Sequence, residues 1–267
     1  MTTEAIILDS LTTGYGRGRS RKVVSRGLSA TVCRGQLTCL LGPNGIGKST
    51  LLRTVSAFQP PLEGSVLIAS GNGRPQPISS LSAKALSRLI GVVLTEKPDV
   101  HNMTAEEMVA MGRSPYTGFW GRLAAADAAV VDESLQAVGI AAMRSRLMHT
   151  LSDGERQKVM IAKALAQQTP VICLDEPTAF LDFKSKVEVM LLLRSLAHSQ
   201  QKTILLSTHD VELALQTADN VWLMSRDSIA AGTPRELADR RLLDGFLQQP
   251  GISFNPATMT INITATI

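Results

Sequence analysis

Nine consecutive residues carry the chemistry most readily read from this sequence: Gly42-Pro43-Asn44-Gly45-Ile46-Gly47-Lys48-Ser49-Thr50. They match G-x-x-x-x-G-K-[ST]. The glycines let successive backbone amides turn inward and converge on anionic oxygens. A helix starting here adds its N-terminal dipole and free N–H groups. Lys48 is spaced to reach the β- and γ-phosphates of a nucleoside triphosphate, and Ser49 to offer its hydroxyl to Mg²⁺. A chance match in a glycine-rich turn would lack the context present here. The unalternated apolar run Leu37–Leu41 precedes the loop, and residues 49–57 have helical composition until Gln59-Pro60-Pro61 stops them.

A second cluster is acidic. Val171-Ile172-Cys173-Leu174 runs into Asp175-Glu176, a hydrophobic strand ending in two carboxylates, as a Walker B strand requires. Asp175 would hold Mg²⁺ through water beside Ser49. Glu176, one residue further, would polarise or orient an attacking water. Two acids after a strand are ordinarily a solvated turn, and the phosphate loop upstream is what gives this pair its meaning. A third segment, Leu151-Ser152-Asp153-Gly154-Glu155-Arg156-Gln157, opens a helix. Ser152 and Glu155 make a capping box, a sufficient structural explanation by itself, although a helix N-terminus beside a glycine is also an anion site.

These residues need a scaffold. Short apolar runs at 5–8, 37–41, 66–69, 90–94, 171–174, 203–207 and 221–224 read as strands. Helical spacing occupies 105–109, 124–138, 152–168, 187–198 and 211–217. Strands alternating with helices imply a mostly parallel sheet with helices on both faces. The Ala-, Met- and Glu-rich stretch from about 98 to 150 reads as a helical lobe inserted between core strands, interrupted by a loop at 112–121. Arg17-Gly18-Arg19-Ser20-Arg21-Lys22 reads as an exposed loop, either a solvated hairpin tip or a phosphate or lipid contact. The tail from about Gly251 has room for a terminal strand.

Composition sets the outer limits. With 44% hydrophobic and 19% charged residues among 267, the chain can bury one large core and is not of disordered type. A net charge of +4 suits phosphate polyanions or an anionic membrane surface, and equally suits many proteins that meet neither. Three cysteines match no zinc spacing; Cys39 and Cys173 lie in apolar runs, and a reducing cytosol is the natural compartment. MTTEAIILDS has no basic n-region, and no apolar run approaches the roughly 20 residues of a membrane helix, so work at a membrane would go through a partner.

In the order phosphate loop, LSDGE segment, Walker B, Phe180-Leu181-Asp182 and His209, the chain resembles the ATP-binding subunits of ABC transporters, over nearly its whole length to about residue 240. The resemblance implies an α/β fold: a RecA-like P-loop NTPase core, an N-terminal antiparallel β-subdomain and an inserted helical subdomain at about 98–150. Residues 1–245 would form a single domain and 246–267 a C-terminal tail. It implies ATP and Mg²⁺, and a head-to-tail dimer that sandwiches two nucleotides. Tyr15 would stack on adenine. Ser152 and Gly154 would contact the γ-phosphate held by the opposite subunit. Asp182 would lie in the D-loop between subunits, and His209 would be the switch histidine that senses the γ-phosphate. With Lys48 and Glu176, His209 completes the catalytic set. ATP would close the pair and hydrolysis release it.

The chain departs from the family pattern twice. Asp153 stands where the signature has glycine. Ile90-Gly91-Val92-Val93-Leu94-Thr95-Glu96 aligns with the strand ending in the Q-loop glutamine, and Thr95 occupies that position. Either Glu96 supplies a magnesium-side contact in its place or Thr95 acts through water. Met111-Gly112-Arg113-Ser114-Pro115-Tyr116 and Gly118-Phe119-Trp120-Gly121-Arg122-Leu123 are similar to a segment of importers for iron–siderophore complexes, haem and cobalamin. Tyr116, Phe119 and Trp120 would belong either to the dock for a membrane subunit or to the lobe's own small core. The partners implied are a second copy of the chain, a multi-helix permease, and indirectly a periplasmic or lipid-anchored binding protein. The place implied is the cytoplasmic face of the inner membrane. A non-transport ABC ATPase on nucleic acid or ribosomes is the alternative, but a single phosphate loop and the lack of sustained heptads leave nucleic acid unexpected. A small-molecule P-loop kinase explains neither LSDGE nor His209.

Overall fold

The computed structural model describes residues 3–16, 18–69, 74–95, 100–118, 121–247 and 251–263. Two sheets and a set of helices build the body. The strands are β1 (Glu4–Tyr15), β2 (Lys22–Cys33), β3 (Leu37–Leu41), β4 (Glu63–Ile68), β5 (Gln76–Pro77), β6 (Ile90–Val93), β7 (Val171–Asp175), β8 (Thr203–Ser207), β9 (Asn220–Met224), β10 (Ile229–Gly232), β11 (Ile252–Asn255) and β12 (Thr260–Ile263). The helices are α1 (Lys48–Val55), α2 (Ala83–Leu86), α3 (Ala105–Ala110), α4 (Ala125–Ala137), α5 (Asp153–Ala166), α6 (Phe183–Ser199), α7 (Val211–Thr217), α8 (Pro234–Asp239) and α9 (Leu242–Leu247).

The central sheet has the order β10-β9-β3-β8-β7-β6, parallel except for the β9–β10 edge pair. Its strands read as continuous apolar runs because each face meets a different core. Leu37, Cys39 and Leu41 of β3 join one cluster, with Ile172, Leu174, Ile204, Leu206, Val221 and Leu223 from neighbouring strands and residues of α3 to α7. Leu40, Cys173, Leu205 and Trp222 point the other way, into a second cluster with α1 and the antiparallel sheet. A strand buried on both faces needs no polar alternate. Burial drives the Cys39 thiol well above its ordinary range and Cys173 up to about 12, so both are inert core residues, as their apolar context predicts.

The antiparallel sheet, β2-β1-β4-β5, is where the sequence says least. β1 is twelve residues long, extending well past residue 8, and β2 falls in a region where no strand is predicted. Their pairing slips between Glu4 and Ile6, between Leu8 and Leu11, again by Thr13, and once more before Gly14. Each bulge shifts the side chains to the other face and breaks the two-residue period. The basic segment sits where β1 turns into β2: Gly18–Ser20 form a single 3-10 turn, and Arg21 is paired with Glu63 at 2.8 Å.

Helices α3, α4 and α5 pack against one another on one side of the central sheet. α3 starts on a capping box between Thr104 and Glu107. Arg113 ties these helices together: its Nε donates to Asp127 of α4 at 2.9 Å, and its Nη1 donates to the Ala166 carbonyl of α5 at 2.7 Å and to Gln168 Oε1 at 2.8 Å. The ring of Tyr116 lies beneath the guanidinium groups of Arg88 and Arg113, and its hydroxyl donates to the Gln167 carbonyl at 3.0 Å. Tyr116 therefore helps to seal the lobe's own seam; Phe119 and Trp120 lie outside the described residues. At the other end of the chain, β11 and β12 form a separate two-stranded hairpin, with Phe254 and Met259 against the main core. Among the described residues no helix is long and apolar enough to cross a membrane.

Candidate functional site

Three neighbouring strands, β3, β8 and β7, end at the same edge of the central sheet. Leu40 lies beside Ser207 in register, and Ser207 beside Asp175. Whatever follows these strands in sequence must therefore meet in space. After β3 comes the loop 42–50, after β7 Glu176, and after β8 Thr208-His209. Open sheets of this kind bind ligands at the carboxyl ends of their strands.

The loop is folded as a phosphate loop must be. Gly47, at the N-terminus of α1, has φ +112, a conformation that L residues rarely adopt. A Cβ built there would lie 2.4 Å from Val24 Cγ1. Gly47→Ala is thus expected to weaken ATP binding roughly tenfold or more, through backbone strain and a loop pushed off Val24. A fluorescent-nucleotide titration measures it, and an unchanged Kd would show that the loop tolerates the shift.

Lys48 is buried, with its Nζ donating to the carbonyls of Gly42 at 2.8 Å and Pro43 at 3.3 Å and lying 3.5 Å from His209 Nδ1. Burial pulls its pKa below the usual lysine range, while the nearby charges of Glu176 and Asp175 act in the opposite sense. Ser49 Oγ donates to Asp175 Oδ1 at 3.0 Å. The Glu176 carboxylate meets His209 Nε2 at 2.5 Å, so the acid after β7 and the histidine after β8 form a pair over the loop. Tyr15 stands half exposed at the end of β1, with its hydroxyl 2.8 Å from Thr50 Oγ1. Tyr15, Val24, Asn44, Gly45, Gly47, Lys48, Ser49, Thr50, Glu176 and His209 line a cleft of about 490 Å³. A depression of about 610 Å³ lined by Lys22, Arg26, Arg226 and Asp227 shares Val24 and Gly45 but holds neither Glu176 nor His209. Chemistry, and not volume, singles out the smaller cleft.

Other sequence-predicted residues are not brought into this cleft. Ser152 caps α5: its hydroxyl accepts from the Glu155 amide at 3.3 Å, and its own amide donates to Glu155 Oε2 at 2.8 Å. That second bond holds the Glu155 carboxyl below its ordinary range. Gly154 lies close against Ser185 of α6, where a Cβ would come within 3.0 Å of the Ser185 hydroxyl. The Asp153 carboxylate pairs with Arg156 at 3.0 Å, one turn along the helix. Asp182 caps α6 by accepting from the Ser185 amide at 2.7 Å, which depresses its pKa. Ser152, Gly154 and Asp182 are absent from the lining of the 490 Å³ cleft. Phe180 and Phe183, on either side of the Leu181-Asp182 pair, are 83% and 78% exposed.

Glu96 lies outside the described residues. Its neighbour Thr95 donates its hydroxyl to the Asp175 carbonyl at 2.8 Å, so it braces the end of β7 directly. Two further groups at the site received no part in the sequence reading. Asp210 accepts from Thr178 Oγ1 and from Lys186, both at 2.8 Å, joining the turn after β8 to the start of α6. Ser207 is fully buried between the acids. The one signal for it is the serine that ends the apolar run Ile204-Leu205-Leu206 immediately before Thr208-His209.

A mostly parallel sheet, a glycine-rich loop leading into a helix from one strand and a carboxylate ending a strand two places away define a P-loop NTPase cassette. The family described as ABC transporter matches residues 25–179, more than half of the chain. An uncharacterized ABC transporter ATP-binding protein of Methanocaldococcus jannaschii, MJ0873, is 42% identical over 88% of this chain and 79% of its own. The petrobactin import ATP-binding protein FpuD of Bacillus anthracis is 33% identical over 95% of this chain and 90% of its own. The iron(3+)-hydroxamate import ATP-binding protein FhuC of Bacillus subtilis is 32% identical over 90% and 88%. Among solved structures, a dimeric post-hydrolysis cassette, MJ0796 bound to ADP and Pi, is 25% identical with a TM-score of 0.71, covering 86% of this chain and 98% of that one. The chain belongs to the ABC transporter family and is an ATP-binding, ATP-hydrolysing cassette.

Proposed function

We propose that this chain is the ATPase subunit of an importer of metal chelates, working as a head-to-tail pair under a multi-helix permease on the cytoplasmic face of the inner membrane. The observation that carries the reading is nearly full-length similarity to import ATP-binding proteins, among them the iron(3+)-hydroxamate protein FhuC. The segment Gly112-Arg113-Ser114-Pro115-Tyr116, buried in the lobe seam at Arg113, is in keeping with it. Substrate choice would rest with the permease and an external binding protein.

In this reading the loop amides of Gly42, Pro43, Asn44, Gly45, Ile46 and Gly47, with Lys48 and Thr50, hold the ATP phosphates, and Tyr15 stacks on the adenine. Ser49 and Asp175 present hard oxygen donors 3.0 Å apart, a set suited to Mg²⁺. Held by Ser49 and Asp175, the ion would supply positive charge to offset that of the phosphates. Glu176 takes a proton from, or orients, the attacking water, and His209 holds Glu176 and meets the γ-phosphate. Each chain has only half of a site. Ser152 and Gly154, at a helix N-terminus outside the cleft, face the nucleotide of the second copy, and Asp182 with the exposed Phe180 and Phe183 lies between the two chains. The pairing of Asp153 with Arg156 suits this placement, because the carboxylate is neutralised within its own helix.

The test is affinity purification of the tagged chain from membranes of its own cell. Recovery with a multi-helix permease, and ATPase activity stimulated by a binding protein loaded with an iron chelate, support the reading. Recovery without any permease, together with tight and steeply salt-dependent binding to RNA or DNA, would replace it with the non-transport alternative.

A further inference from the structure

Successive side chains of a strand point to opposite faces, yet of the adjacent acids Glu176 lines the cleft and Asp175 accepts from Ser49, which also lines it. The chain manages this by leaving the strand at Glu176, whose φ is +49, a left-handed conformation unusual for a residue with a side chain. Something must hold that kink. The Glu176 amide, turned out of the sheet, donates to Ser207 Oγ at 3.0 Å. The same Ser207 hydroxyl donates to Asp175 Oδ1 at 2.7 Å, on the oxygen that also accepts from Ser49. A serine hydroxyl has one proton and two lone pairs. Having accepted from an amide, it must turn its proton to the carboxylate, so its direction is fixed. Ser207 is the register partner of Asp175 and is fully buried in a strand whose other members are apolar or threonine. A buried hydroxyl in such a place is kept only when its bonds are made.

We propose that Ser207 is a positioning residue for ATP hydrolysis: its one hydroxyl sets the angle between the two acids, holding Asp175 beside Ser49 while turning Glu176 towards His209. This rests on the roles given above to Asp175 and Glu176. Because Ser207 does not line the nucleotide cleft, its loss should act on turnover more than on binding.

The experiment measures steady-state ATPase kinetics and ATP affinity for Ser207→Ala, Ser207→Thr and both acids' partner variant Glu176→Gln, alone and combined with Ser207→Ala. The expected result is a fall in kcat of about 10- to 100-fold for Ser207→Ala with KM and Kd for ATP within about threefold, recovery of at least half the activity in Ser207→Thr, and a smaller further fall when Ser207→Ala is placed on Glu176→Gln than when it is made alone. Wild-type kcat in Ser207→Ala overturns the proposal, as does a threonine variant as damaged as the alanine one or a loss confined to ATP affinity. Should Ser207→Ala not fold, Ser207→Cys, a weak donor of similar size, carries the same expectation and the same reversal. Full turnover in Glu176→Gln would instead remove the role of Glu176 itself, so the two failures are distinct.

Discussion

Glu176→Gln is expected to lower ATP turnover by roughly 10²- to 10⁴-fold while ATP still binds within a few-fold of its native affinity. Glutamine keeps the length and planarity of the side chain and can still meet His209 Nε2, to which the carboxylate now lies at 2.5 Å. It loses the ability to take a proton. The backbone kink and the Ser207 bond involve the amide of residue 176 and not its side chain, so the local fold should persist. The phosphate contacts come from the loop and Lys48, and binding should be spared. A consequence follows for assembly: a variant that binds but cannot cleave ATP should accumulate as a pair of chains, visible as a doubled mass in the presence of ATP and Mg²⁺. Phosphate release, nucleotide titration and light scattering measure the three quantities. Native turnover in the variant would assign the water to another group.

Lys48→Ala is expected to have the larger effect on binding, weakening ATP affinity by roughly 10²-fold or more, since a buried ammonium donating to two anionic phosphates is worth more than a neutral hydrogen bond. The Nζ donates to the Gly42 and Pro43 carbonyls, so the loop itself holds the ammonium in place and little ordering remains. The same lysine should set the alkaline limit of ATP binding. Its burial lowers its pKa, with Glu176 and Asp175 partly opposing. Affinity depends on the charged form, so it is lost as pH rises through that lowered pKa, earlier than an ordinary lysine near 10.4 would allow. Bound phosphate adds negative charge and shifts the limit upward again. Titrations at increasing pH should show this limb in the native chain and not in Lys48→Ala. An identical limb in both would assign it elsewhere.

Much of the parallel core was legible because its periodicity is simple. Thr203–Ser207 and Val211–Thr217 have the bounds read from the sequence. Leu37–Leu41 does too, since a strand buried on both faces leaves an unbroken apolar run. The antiparallel sheet was much less legible. β1 and β2 carry bulges and buried threonines, Thr12 and Thr13, that obscure any two-residue pattern. α6 begins at Phe183 and not near 187, because its start is set by a cap, Asp182, ahead of its hydrophobic stripe.

For the site, the residue types and order already implied a phosphate loop, a Walker B acid pair and a histidine, because phosphate binding needs glycines, a lysine and a hydroxyl at fixed local spacing. Local spacing is a property of the chain alone. The sheet order was not contained in it. Only the tertiary structure placed β8 between β3 and β7, and so put the Glu176 carboxylate against His209 and a serine hydroxyl between two adjacent acids. It also leaves Ser152 and Gly154 out of the lining of their own chain's cleft. Contacts between residues far apart in sequence depend on which strands lie side by side, and that is fixed by the packing of two cores on the two faces of one sheet.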